Sequence, residues 1–119
     1  MPNLQQQIAS AVDAARDDIV IFIQTLVRSP SLANNEGPVQ NIISDKLKSL
    51  GFEAEKVPVR FDELKDHPAF NDDGYSPDSR FNVVGNWKSN GKGKSLILNG
   101  HVDVVPTGSL ELWDESPWS

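Results

Sequence analysis

His101 and Asp103 stand two residues apart at the close of an apolar run, SLILNGHVDVVP, residues 95–106. An imidazole and a carboxylate are the two side-chain types best suited to a shared proton. On an extended chain, residues two apart point to the same face. A carboxylate beside a histidine can hold the proton of one ring nitrogen and fix the tautomer, which leaves the other nitrogen free for a metal. The bland alternative is a histidine that is merely hydrogen-bonded at a strand end. The local pattern favours the chemical role. Gly100 clears a side chain just before the imidazole, and Pro106 ends the run and turns the chain outward. The C-terminal end of a strand is also where open α/β sheets place their ligands.

The elements that would position this pair can be read backwards along the chain. SLILNGHVDVV is continuously apolar, the pattern of a strand buried on both faces and central in its sheet. It is preceded by SNGKGK, a turn built on Asn90-Gly91, and by FNVVGNWK, a second strand. Residues 61–80 show no period and are rich in Asp and Pro, which predicts a long surface loop. FEAEKVPV is a strand candidate, and Pro58 marks it as an edge strand or one that ends early. Val39, Ile43, Leu47 and Leu50 form the stripe of a helix that opens near Pro38 and closes at Gly51. Before it, Leu4, Ile8, Val12, Ala15, Ile19, Phe22, Ile23 and Leu26 recur at helical spacing, which predicts one amphipathic helix over residues 4–28. Pro30 stops it. The fold class expected is therefore α/β: two helices followed by three strands of a mixed sheet, with the last strand central.

Composition narrows the function. The 119 residues suit one domain or part of one, and the formal net charge is −6. Without a basic stripe, nucleic acid and anionic membrane are excluded as expected partners. There is no cysteine, so disulfides are impossible and any metal site must draw on His, Asp and Glu. The first ten residues carry neither the basic nor the apolar region of a signal peptide. IVIFIQTLV is far shorter than a membrane span. A cytoplasmic protein is expected.

Other motifs carry less. GKGKS lacks the first glycine of a phosphate loop, since Lys88 stands there, and it opens no helix. NDDGYSPDS lacks the spacing of a calcium loop. His67 lies in the long loop and reads as a surface residue. Thr107 and Ser109 follow the motif without a nucleophile-elbow context and suit turn and capping roles. Trp87, Trp113 and Trp118 read as packing residues.

LILNGHVDVVPTG, with the tryptophans downstream, closely resembles the first metal-ligand motif of the M20 family of metallopeptidases and deacylases. LVRSPSL after the first helix, LGFEAEKVPV and FNVVGNWK resemble the N-terminal region of that family in the same order. The long loop before FNVVG looks most like its acetylornithine deacetylase and desuccinylase branch. The resemblance implies a zinc-peptidase-like catalytic domain with His101 as a zinc ligand and Asp103 as the catalytic-site acid that orients it. It also implies two zinc ions in the complete enzyme (cobalt being an alternative), a Glu as general base, and hydrolysis of the amide of an N-acyl amino acid. A dipeptidase or carboxypeptidase using the same metals, and a non-catalytic fragment acting as an interaction module, are the alternatives. The remaining ligands lie downstream of this motif in the family. Residues 1–119 are therefore expected to be the N-terminal portion of the catalytic domain, inactive alone, with the lid or dimerisation domain absent. A homodimer is a further expectation for the complete protein.

Overall fold

The structure, a computed structural model, describes residues 3–78 and 80–119. It divides into two compact units, residues 3–29 with 107–119, and residues 30–106. The first unit is helical. Asn3 opens helix α1, Leu4–Ala14, with a reciprocal capping box. Its side-chain oxygen accepts from the Gln6 N–H at 2.9 Å, and the Gln6 side chain accepts from the Asn3 N–H at 2.9 Å.

The single helix expected over 4–28 is two helices. Ala15 leaves helical geometry (φ −89°, ψ 1°), and α2 runs Arg16–Val27. The apolar period passes through this break unchanged, so periodicity alone does not reveal it. The local signal is Asp17-Asp18, two acids in the first turn of α2, where carboxylates complement the helix dipole. The apolar stripe is present, yet neither helix contributes a buried residue, and Leu4, Ile8, Val12, Ile19 and Ile23 are exposed. In the same unit a short 3-10 turn, Leu110–Leu112, brings the Trp113 indole N–H to the Thr107 carbonyl at 3.0 Å. The Ser109 side chain makes no capping bond to that turn, so the capping role expected of it is not realised.

The second unit holds the sheet. Helix α3, Gly37–Ser49, carries Pro38 in its first turn and Lys46 and Lys48 in its last, the arrangement that both caps and dipole favour. Gly51 closes it at φ 86°. The Gly51 N–H bonds to the Lys48 carbonyl at 2.9 Å and the Phe52 N–H to the Leu47 carbonyl at 3.0 Å, a Schellman motif. Strand β1, Glu53–Pro58, pairs antiparallel with β2, Phe81–Asn86, in the register Ala54↔Gly85, Lys56↔Val83, Pro58↔Phe81. Phe81, Val83 and Gly85 alternate with exposed residues and turn toward α3. Gly85 permits that approach. A Cβ there would stand 3.0 Å from a Leu47 methyl and 3.4 Å from the Phe52 ring. Val39 of α3 is buried.

Residues 59–80 leave and return at one point, where the Val59 N–H bonds to the Arg80 carbonyl at 3.1 Å. The expected long loop is there, with one helical turn that the sequence reading missed, α4, Phe61–Leu64. The loop carries its own packing. Phe61 and Phe70 meet edge to face with centroids 5.3 Å apart, and the Arg80 guanidinium lies 5.9 Å from the Phe61 ring.

The third strand is a correction. Among the described residues the sheet has two strands, and residues 95–105 form none. Leu96, Ile97 and Leu98 are 81%, 87% and 87% exposed. A strand exists only where a neighbour completes its ladder. Residues 95–101 make no backbone hydrogen bond among the described residues, so their apolar pattern has nothing to be buried between. Asn90-Gly91 bends the chain as expected but closes no hairpin.

Candidate metal centre

The tail of this apolar segment is held where its centre is not. The Ser31 hydroxyl donates to the Val102 carbonyl at 2.6 Å, and the Val104 N–H donates to the Ser31 carbonyl at 3.0 Å. Ser31 itself is buried. It follows Pro30, which stops α2, so the residue after the helix stop becomes the anchor for the motif. The clamp fixes the backbone on both sides of Asp103.

With the backbone held there, His101 and Asp103 meet. His101 Nδ1 lies 3.2 Å from Asp103 Oδ1 and 3.1 Å from the Asp103 carbonyl oxygen. Both partners are acceptors, so this geometry suits an imidazole with its proton on Nδ1, and in the neutral ring of that tautomer Nε2 keeps its lone pair. The side chains are 83% and 57% exposed, so this is an orienting contact rather than a source of stability.

The pair borders a cleft of about 180 Å³. The start of α3, with Glu36, Gly37 and Gln40, and Phe81 and Asn82 of β2 also line it. So does Arg80. Sequence reasoning singled out neither Glu36 nor Arg80. Arg80 Nη1 donates to Asp73 Oδ2 at 2.6 Å, and Arg80 Nη2 lies 4.0 Å from Glu36 Oε1. The Arg80 hydrogen bond, aided by the Tyr75 N–H, holds the Asp73 carboxyl below the usual carboxylate range. Arg80 is thus committed to two carboxylates and ties the long loop to the start of α3. The signal for it, an arginine immediately before a strand and seven residues after an Asp-rich turn, is too common to read alone.

His67 is exposed, as expected of a surface residue, and lies apart from the cleft lining, its Nδ1 accepting from the Ala69 N–H at 3.1 Å. Of NDDGYSPDS, Ser79 lies outside the described residues, and the acids at its start shape local turns. Asp72 and Asp73 each accept from a backbone N–H two residues on, the geometry of Asx turns rather than of a cation cage. Trp87 packs edge to face on Phe52 at 5.1 Å. Among the described residues no three His, Asp or Glu side chains converge on one point. The residues present fit one ligand with its orienting carboxylate, not a closed zinc site.

No family model matches the chain. It is 33% identical over 103 residues to the succinyl-diaminopimelate desuccinylase of Hydrogenovibrio crunogenus, a match covering 86% of this chain and 22% of that protein. The desuccinylases of Polynucleobacter necessarius (31% over 101 residues) and Blochmanniella floridana (32% over 103 residues) match similarly. The chain is a distant homologue of the M20 desuccinylases. It spans about a fifth of the length of these relatives, 22–23%. The mixed α/β architecture agrees with that kinship. No helix among the described residues is long and apolar enough to cross a membrane.

Proposed function

We propose that this chain is the N-terminal portion of the catalytic region of a zinc-dependent amidohydrolase that cleaves N-acyl amino acids, in a cytoplasmic setting. His101 is its zinc ligand and Asp103 its orienting acid. The observation that carries the reading is the direction of the imidazole. Nδ1 faces two acceptor atoms of Asp103, which leaves Nε2 as the donor atom for a metal. Kinship with the desuccinylases supports the substrate class. Bound zinc would supply Lewis-acid polarisation of the scissile carbonyl. The chain's own contribution is to present one imidazole in a fixed tautomer, with Ser31 holding the backbone beside it.

A catalytic zinc takes three protein ligands, and this chain brings one together with its acid. Residues 1–119 alone therefore bind zinc weakly and turn over no N-acyl amino acid. Calorimetric titration of the chain with zinc or cobalt tests the ligand, and hydrolysis of N-succinyl and N-acetyl amino acids tests the activity. His101→Ala abolishes the weak binding. In a complete enzyme carrying this segment, Asp103→Ala lowers metal affinity or turnover by about 10–100-fold, the size of losing an orienting partner. Zinc binding indifferent to His101→Ala would remove the ligand from the reading. Turnover by residues 1–119 that His101→Ala abolishes would overturn their inactivity.

A further inference from the structure

Two Asn-Gly pairs occur in the chain, Asn90-Gly91 and Asn99-Gly100, and the structure treats them differently. Asn-Gly is the dipeptide in which a backbone nitrogen most readily attacks the preceding carboxamide, because glycine puts no Cβ in the way. The attack needs a free amide nitrogen and room for the backbone to turn.

At the first pair both needs are compromised. The Gly91 N–H is engaged, donating to Ser89 Oγ at 3.0 Å. The same hydroxyl crowds the site, with Ser89 Oγ 3.1 Å from where a Gly91 Cβ would stand. At the second pair both are met. Asn99 and Gly100 are exposed and lie in neither helix nor strand. Among the described residues neither the Gly100 N–H nor the Asn99 carboxamide has a hydrogen-bond partner, and nothing stands within 4 Å of a Gly100 Cβ position.

We propose that Asn99-Gly100 is a site of spontaneous deamidation and isomerisation, placed immediately before His101. The Gly100 nitrogen attacks Asn99 Cγ and forms the ring bond of a five-membered succinimide. The bond from Cγ to the amide nitrogen breaks, and ammonia leaves with the proton that the Gly100 nitrogen gave up. Solvent water then opens the ring at one carbonyl or the other, giving aspartate or isoaspartate at position 99. Both products add a negative charge two residues from the imidazole. The isoaspartate also inserts a methylene into the main chain just ahead of the His101–Asp103 pair. The Ser31 clamp begins only at Val102, so it does not restrain position 99. The modification does not depend on the metal reading.

The sequence permits a clean test. Trypsin cleaves after Lys88, Lys92 and Lys94, and no Lys or Arg follows Lys94. Peptides Ser89–Lys92 and Ser95–Ser119 therefore each carry a single asparagine, one from each pair. The purified chain is aged at neutral and mildly alkaline pH, digested, and analysed by mass spectrometry and by methyl labelling with an isoaspartyl methyltransferase. Ser95–Ser119 gains the amide-to-acid mass several-fold faster than Ser89–Lys92, accepts the label, and converts faster as pH rises. Gly100→Ala, which meets open space, slows conversion without disturbing the fold. Equal or faster conversion of Ser89–Lys92, or a Ser95–Ser119 peptide that stays unconverted, would overturn the proposal. So would a rate unchanged by Gly100→Ala, since conversion would then not pass through the Gly100 nitrogen.

Discussion

Ser31 and Val102, far apart in sequence, are joined by a hydroxyl-to-carbonyl hydrogen bond of 2.6 Å, and the Ser31 carbonyl takes the Val104 N–H in return. Asp103 is held between the two. Ser31→Ala removes the side-chain bond and leaves the Val102 carbonyl to find water. The expected loss is about 0.5–1.5 kcal/mol, the net worth of one such bond. Urea denaturation measures it, and amide exchange at Val104 reports whether the motif loosens. Unchanged stability together with unchanged exchange would mean that the clamp does not hold the pair.

The sequence made this pair legible because the chemistry is local. Two side chains two residues apart need only an extended backbone to meet, and His101 and Asp103 do. Helix α3 was legible for the same reason, since Pro38, the Val39 stripe and Gly51 are start, body and stop in one stretch. Strands β1 and β2 were read by position. What the sequence hid depends on distant partners. The Ser31 anchor sits in a loop with no pattern. Arg80 gains its role only when the long loop closes. The apolar run 95–105 reads as a strand because hydrophobicity records what a segment is fit to be buried in, not whether the neighbours are present.

The Arg80–Asp73 pair carries a pH dependence whose sign is fixed. The Asp73 carboxyl is held below its ordinary value by the Arg80 guanidinium and the Tyr75 N–H. A depressed carboxyl favours the folded loop at pH above the ordinary Asp value of 3.8 and loses that contribution as pH falls through the lowered one. The loop 59–80 therefore loosens in acid, below the usual carboxylate range. The Asp73 carboxyl resonance followed by NMR titration checks the direction, with amide exchange at Tyr75 as the second readout. Asp73→Asn removes this acid step. A normal Asp73 titration would show that the 2.6 Å contact does not persist in solution.

Ser44 presents the opposite case, a polar atom with nothing to bind. It is 1% exposed on α3, and its hydroxyl has no partner among the described residues. An unsatisfied buried hydroxyl carries its full desolvation penalty, about 1–3 kcal/mol. Ser44→Ala removes that penalty and also raises helix propensity. The variant is expected to be more stable by about 1 kcal/mol in chemical denaturation. A loss of stability would reveal a partner, such as a trapped water, that the hydroxyl needs.

The exposed segment sets the solution behaviour of the chain. Leu96, Ile97 and Leu98 are all more than four-fifths exposed, at 81%, 87% and 87%, so both faces of the run are bare. Its backbone groups over 95–101 are without backbone partners among the described residues. Apolar side chains on both faces with unpaired N–H and C=O groups make a template for pairing with another chain. Lys92 and Lys94 guard one end of the run, and Asp103 stands beyond the other. The chain is therefore expected to self-associate with rising concentration. Sedimentation velocity over a concentration series measures this, and exchange protection in 95–101 should grow with the associated fraction. Ile97→Lys places a charge at the centre of the run and should return the chain toward monomer. A wild-type chain that stays monomeric across the series, with 95–101 unprotected throughout, would show that three bare aliphatic side chains are too short a template to recruit a partner.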